Sequence, residues 1–222
     1  MPVRKEPLIS GHVYHVFNKS IDSRKIFSSD KNCRLMLELM KYYRSGKALP
    51  SFSRIRDIKD PIRKKQIVQQ TSIIRYFRVD IIAYCLMPNH FHLLLRQKMD
   101  DGISKYLSDM INSFTRNYNM RAQRMGPLFL PRFQANRIVS AEQLIHTSRY
   151  IHLNPFASDV VSDMSKLVNY PWSSLHEYIQ KKTKPLTNSK SVLSEFSNNR
   201  DEYRKFVFER ADYQRSIEQL KH

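Results

Sequence analysis

Ile81-Ile82-Ala83-Tyr84-Cys85-Leu86-Met87-Pro88-Asn89-His90-Phe91-His92-Leu93-Leu94-Leu95 is the stretch whose reading decides the fold. The runs on either side of Pro88-Asn89-His90-Phe91-His92 are too apolar for a surface, and each is short enough to be one buried strand. Pro88-Asn89 is a turn signal, so the stretch predicts a tight antiparallel hairpin with the histidines opening its second strand. Side chains alternate along a strand, which sends His90 and His92 to one face roughly 7 Å apart and Phe91 to the other. Two imidazoles on a rigid strand suit a metal held from one side with its other positions open; two satisfied core histidines are the plainer alternative.

The 222 residues around that hairpin allow one sizeable core and an appendage. With 41% hydrophobic and 11% aromatic residues the chain is globular, neither disordered nor fibrous. Lys and Arg number 38 against 20 Asp and Glu, a formal charge of +18. That excess points to a polyanionic partner, nucleic acid first and an anionic membrane surface a distant second. No apolar stretch approaches the ~20 residues of a membrane helix, and no apolar signal region follows Met1-Pro2-Val3-Arg4-Lys5-Glu6. Cys33 and Cys85 lack metal-type spacing, so reduced thiols in a cytoplasmic protein are expected.

Upstream, Val13-Tyr14-His15-Val16-Phe17-Asn18 reads as a first strand. His15 could approach a site on the sheet; a partly buried structural histidine is the plainer reading. Ser29-Asp30 opens a helix to about Arg44, with Leu35, Leu39 and Tyr42/Tyr43 at helical spacing. Residues 41–78 hold eleven Lys/Arg against Asp57 and Asp60, half of the total charge. Arg63, Lys64 and Lys65 there are candidate DNA contacts, and the same stretch also fits a solvated insertion at about 45–75.

Downstream of the hairpin (about 76–87 and 90–97), Leu107, Met110, Ile111, Phe114 and Tyr118 mark the buried stripe of a helix at about 103–122. Arg116 lies outside that stripe, a further candidate DNA contact. Leu128 to Val139 reads as an irregular strand in which Arg132, Phe133, Gln134 and Arg137 interleave cations with an aromatic. This suits a nucleic-acid backbone with stacked bases, or simply a strand with one wet face. Ser140-Ala141-Glu142-Gln143 fits a capping box, and Pro155 predicts that the helix it opens ends near Asn154. Tyr150 and Asn154, four residues apart on a flank of the Leu144/Ser148/Ile151 stripe, stand one above the other roughly 6 Å apart. Beyond the linker Lys181-Lys182-Thr183-Lys184-Pro185, residues 189–220 predict one or two amphipathic helices.

The order strand-helix-strand-strand-helix-strand predicts an α+β chain. Its core is a ferredoxin-like βαββαβ antiparallel sheet with helices on one face, followed by a C-terminal catalytic helix and a helical tail. Residues 1–180 form the expected catalytic domain and 181–222 the linker and extension. In that arrangement the last helix of the body can lay Tyr150 and Asn154 across the histidine pair. A phenol, with a pKa near ~10, is a poor nucleophile unless a cation polarises its target. A divalent ion on His90 and His92, with Asn154 as a further candidate ligand, supplies that polarisation at a scissile phosphate.

His90-Phe91-His92 resembles the His-hydrophobic-His motif of single-tyrosine transposases. Ala83 to Leu93, Tyr150-Ile151-His152-Leu153-Asn154-Pro155 and Tyr170-Pro171-Trp172-Ser173-Ser174 are similar to the branch of REP-associated tyrosine transposases, a likeness spanning about residues 10–180. The resemblance implies a metal-dependent endonuclease and strand transferase acting on single-stranded, hairpin or repeat DNA. It implies Tyr150 as the nucleophile of a 5′-phosphotyrosine intermediate, and His90, His92 and Asn154 as ligands of Mg²⁺ or Mn²⁺. Asn154 stands where other branches carry glutamine. A catalytically inactive DNA-binding regulator is the alternative, and an RNA-binding sheet a weaker third. Monomer and homodimer both stay open, as does the base that activates Tyr150, for which His146 and His152 are neighbours in sequence.

Overall fold

In a computed structural model, residues 7–49, 51–181 and 183–220 are described. The N-terminal hexapeptide and Lys182 of the expected linker lie outside them. The elements run β1 (Val13–Lys19), α1 (Asp30–Tyr43), α2 (Phe52–Asp57), α3 (Pro61–Thr71), β2 (Val79–Met87), β3 (His90–Gln97), α4 (Gly102–Arg121), β4 (Gln134–Ile138) and α5 (Ala141–Ala157). After them come α6 (Met164–Val168), α7 (Leu175–Ile179), α8 (Lys190–Leu193), α9 (Arg200–Phe208) and α10 (Ala211–Gln219).

The four strands form one antiparallel sheet in the order β2-β3-β1-β4, the ferredoxin-like arrangement expected from the element order. Met87 pairs with His90 across the Pro88-Asn89 turn, and Cys85 pairs with His92. Alternation then divides the hairpin between two cores. Tyr84, Leu86, Phe91, Leu93 and Leu95 join α1 and α4 on one face. Ala83, Cys85, Met87 and Leu94 join α5 and the C-terminal helices on the other. An irregularity between Ile81 and Ala83 turns Ile82 and Ala83 both toward the second core. Coverage on both faces is why these two strands are almost continuously apolar.

Helix starts follow their caps. Ser29 accepts from Asn32 N at the head of α1, and Ser140 accepts from Gln143 N at the head of α5. The Gln143 amide oxygen returns to Val139 N at 2.8 Å, one residue before the cap.

Four local expectations change. Helix α5 does not stop at Asn154 but runs through Pro155 to Ala157, because Phe156 and Ala157 are buried in the second core and hold that last turn. The hairpin's first strand starts at Val79 rather than near 76, since Ile74–Tyr76 is a single 3-10 turn. Within Leu128 to Val139 only Gln134–Ile138 is a strand; Phe129 makes an isolated bridge to Ser20. The tail holds three helices, of which Val192, Leu193, Tyr203, Val207 and Ala211 enter the second core. Among the described residues no helix is long and apolar enough to cross a membrane.

Candidate active site

The site grows from the second face of β3. His90 is half-buried and His92 is 5% exposed, with ring centroids 4.9 Å apart and planes nearly perpendicular. Burial, and after it the charge of Lys19, lower the pKa of His90 to about 4 against a hydrogen bond with Asn154 and the charge of Glu218. At neutral pH that imidazole is uncharged, the form with a lone pair to donate. Its Nδ1 lies 2.7 Å from the Asn89 side-chain oxygen, so the turn residue orients the ring.

Across from the strand, α5 brings Tyr150 and Asn154. The phenol ring stands edge-on to His92 at 5.5 Å, and Asn154, buried, bonds to His90. The match is one of spacing. Alternate residues of a strand repeat at roughly 7 Å and residues four apart on a helix at roughly 6 Å, so one pair can be laid over the other.

What sets the rotation of α5 is His152, two residues past the tyrosine and pointing away from the groove. It is fully buried, with Nδ1 2.7 Å from the Tyr203 hydroxyl of α9 and Nε2 2.8 Å from the Ser174 hydroxyl. Ser174 in turn accepts from Tyr84 N of β2 at 2.8 Å. Burial, with His176 nearby, pushes the pKa of His152 down to about 3. One imidazole thereby joins the helix to the sheet and to the tail.

Two contributors went unassigned in the sequence. His15 on β1 places Nε2 3.0 Å from His92 Nδ1 and stands edge-on to Tyr150 at 5.8 Å; burial lowers its pKa to about 4. The signal was present, since His15 and Phe17 alternate with Tyr14 and Val16, but only the strand order makes β1 the neighbour of β3. The second contributor is α10, which lies along α5. Gln214 donates to the Tyr150 carbonyl at 3.1 Å, Arg215 pairs with Asp159 and covers the Phe156 ring, and Glu218 brings its charge toward His90.

His92 and Tyr150, together with His15 and Phe17, line an open groove rather than a dry interior. Asn136 of β4 and Gln143, His146 and Thr147 from the first turns of α5 wall it beside His92 and Tyr150. Among the described residues no three His, Cys, Asp or Glu gather as a metal cage. The available donor set is two imidazoles and the Asn154 amide, which suits a divalent ion taking N and O ligands and leaves positions for substrate oxygens.

The candidate cations divide. Arg63, Lys64 and Lys65 are exposed on α3, whose Ile67 packs on the first core, and Arg116 is exposed on α4; all four belong to the layer opposite the groove. Arg132 precedes the edge strand β4. Arg137, on that strand, shares the face of its partner Tyr14 and lies 3.1 Å from the His12 ring.

Comparison with known proteins bears on the same segment. Residues 53–154 match the family model described as Transposase IS200 like. The matched segment contains His90, His92, Tyr150 and Asn154, and its family is the one the sequence resembles. No curated protein matches the chain. Among solved structures the chain is similar to a REP-associated tyrosine transposase bound to a REP hairpin, with a TM-score of 0.55 and 17% identity over 84% of this chain and 90% of that one. That likeness is one of fold.

Proposed function

We propose that this chain is a transposase-like DNA endonuclease and strand transferase that acts on single-stranded or hairpin DNA with Tyr150 as its nucleophile. The observation that carries the reading is the meeting of the Tyr150 ring with His92 in an open groove, with His90 beside His92, although the tyrosine and the histidines come from elements about sixty residues apart. The segment matched by the transposase model, and the REP hairpin bound by the structural neighbour, support DNA as substrate.

His90, His92 and Asn154 would hold one Mg²⁺ or Mn²⁺, which when bound supplies Lewis-acid withdrawal of charge from phosphate oxygens. The chain's own groups do the rest. The edge contact with His92 seats the phenol, while Asn154 and Asn89 fix the plane of His90. The Tyr150 oxygen attacks phosphorus; the P–O3′ bond breaks as the Tyr–O–P bond forms, the phenolic proton leaves, and the 3′ oxygen takes up a proton. The phosphoester energy stays in the 5′-phosphotyrosine link, so attack by a 3′-OH reverses the step and rejoins strands without ATP. Exposed Arg132 and Arg137 at the edge strand, and the more distant Arg63, Lys64, Lys65 and Arg116, would hold the DNA backbone by charge.

Incubation with labelled single-stranded hairpin DNA and Mn²⁺ tests this. The wild type should form a covalent protein–DNA adduct, and Tyr150→Phe should lose it by at least about 10³-fold. His92→Ala should lose the adduct while keeping salt-sensitive binding. An adduct persisting in Tyr150→Phe refutes the nucleophile, whereas absence of any adduct in the wild type on repeat-containing substrates favours a non-catalytic binder.

A further inference from the structure

The proposed chemistry leaves one half-buried histidine of the site without a task. His15 Nε2 lies 3.0 Å from His92 Nδ1, and the two rings meet edge to edge with centroids 5.2 Å apart and planes at 29°. The sheet holds them there. Phe17 is directly opposite His92 in the β1–β3 register, and His15, two residues earlier on β1, shares that face.

A hydrogen bond between two ring nitrogens needs one donor and one acceptor, so its single proton has two possible positions. With the proton on His15 Nε2, His92 accepts at Nδ1, and a neutral His92 carries its own hydrogen on Nε2. That nitrogen then has no lone pair to offer. With the proton on His92 Nδ1, the bond runs toward His15 and leaves Nε2 of His92 without a hydrogen. The two arrangements share the same heavy-atom positions but have opposite consequences for ligation.

Resting on the reading of His92 as a metal ligand, we propose that His15 is a positioning residue: it accepts the Nδ1 hydrogen of His92 and thereby keeps Nε2 of His92 as the ligating nitrogen. A partner on the second ring nitrogen is how ligating histidines are generally held in tautomer and orientation. The usual partner is a carboxylate or a carbonyl; here it is a second imidazole. The same contact reaches the nucleophile. Tyr150 stands edge-on to both rings, at 5.5 Å from His92 and 5.8 Å from His15, so a His92 ring released from His15 would tilt the surface on which the phenol rests.

The experiment combines imidazole ¹⁵N NMR of the metal-free wild-type chain with Mn²⁺ titration, followed by electron paramagnetic resonance, of the wild type, His15→Phe and His15→Gln. Phenylalanine keeps an aromatic ring there without the nitrogens, and the glutamine amide oxygen restores an acceptor. His92 should be protonated at Nδ1 in the wild type. His15→Phe should weaken Mn²⁺ binding about 10- to 100-fold, and His15→Gln should recover much of that loss. Protonation of His92 at Nε2 in the wild type overturns the proposal, as does wild-type Mn²⁺ affinity in a folded His15→Phe. If His15→Phe does not fold, the wild-type spectrum and the glutamine variant still decide the matter. If the wild type itself binds no Mn²⁺, the metal reading fails by itself, and the spectrum alone decides which ring holds the proton.

Discussion

The two faces of β3 differ in kind although they belong to one strand. Toward α1 and α4 it presents Phe91, Leu93 and Leu95, all with no exposure, in a core whose aromatic centre is Phe91, Phe129 and Phe114. Toward α5 it presents His90 and His92 and only then Leu94, which enters the second core. The odd residues carry stability and the even ones carry the candidate site. Because the side-chain period is two, a slip of one residue would bury both imidazoles in the first core and turn Phe91 into the groove. The apolar face therefore does more than stabilise: it fixes the register that keeps both histidines on the opposite face and His92 in the groove.

The largest effect that separates the faces is Phe91→Ala. Truncating this fully buried ring should cost about 3–5 kcal/mol, read as a fall in melting temperature, while adduct formation per folded molecule stays near wild type. A folded Phe91→Ala that has lost adduct formation as completely as Tyr150→Phe would show that the two faces are not independent.

Acidification comes next in size and acts on the second face alone. Burial holds His15 and His90 at about 4 and His152 at about 3, against an ordinary 6.5. Below pH 6.5 the unfolded chain takes up protons that the folded chain refuses, so stability falls as the pH drops from 6.5 toward 4. Melting temperature measured between pH 6.5 and 5, above the carboxylate range, should decline; a flat profile contradicts the burial assigned to these rings.

The smallest expected effect tests the far layer. Replacing Arg63, Lys64 and Lys65 together by Gln should make the salt dependence of single-stranded DNA binding shallower by about 2, with the adduct rate at saturating DNA unchanged. An unaltered slope assigns those cations to a solvated surface and confines DNA to the groove side.

Much of this molecule was legible from local pattern. The hairpin, the caps at Ser29 and Ser140 and the tyrosine–asparagine step on α5 each depend on spacings of two to four residues, and such spacings carry their geometry with them. Pro155 misled because its penalty is local, while the burial of Phe156 and Ala157 that outweighs it comes from the tertiary fold. His15 was discounted and the tail left without a role for a related reason. Nothing near residue 15 indicates that β1 lies beside β3, and nothing near 214–218 indicates that α10 lies along α5.

The sequence by itself determined which side chains share a face and how far apart they stand, because strand and helix periods are properties of the backbone. Only the tertiary structure decided that His15 touches His92, that His152 faces Ser174 and Tyr203 rather than the groove, and that the basic α3 lies on the opposite layer from the site. Those relations are set by strand order and by how helices dock on the sheet, and both depend on contacts between residues distant in the chain.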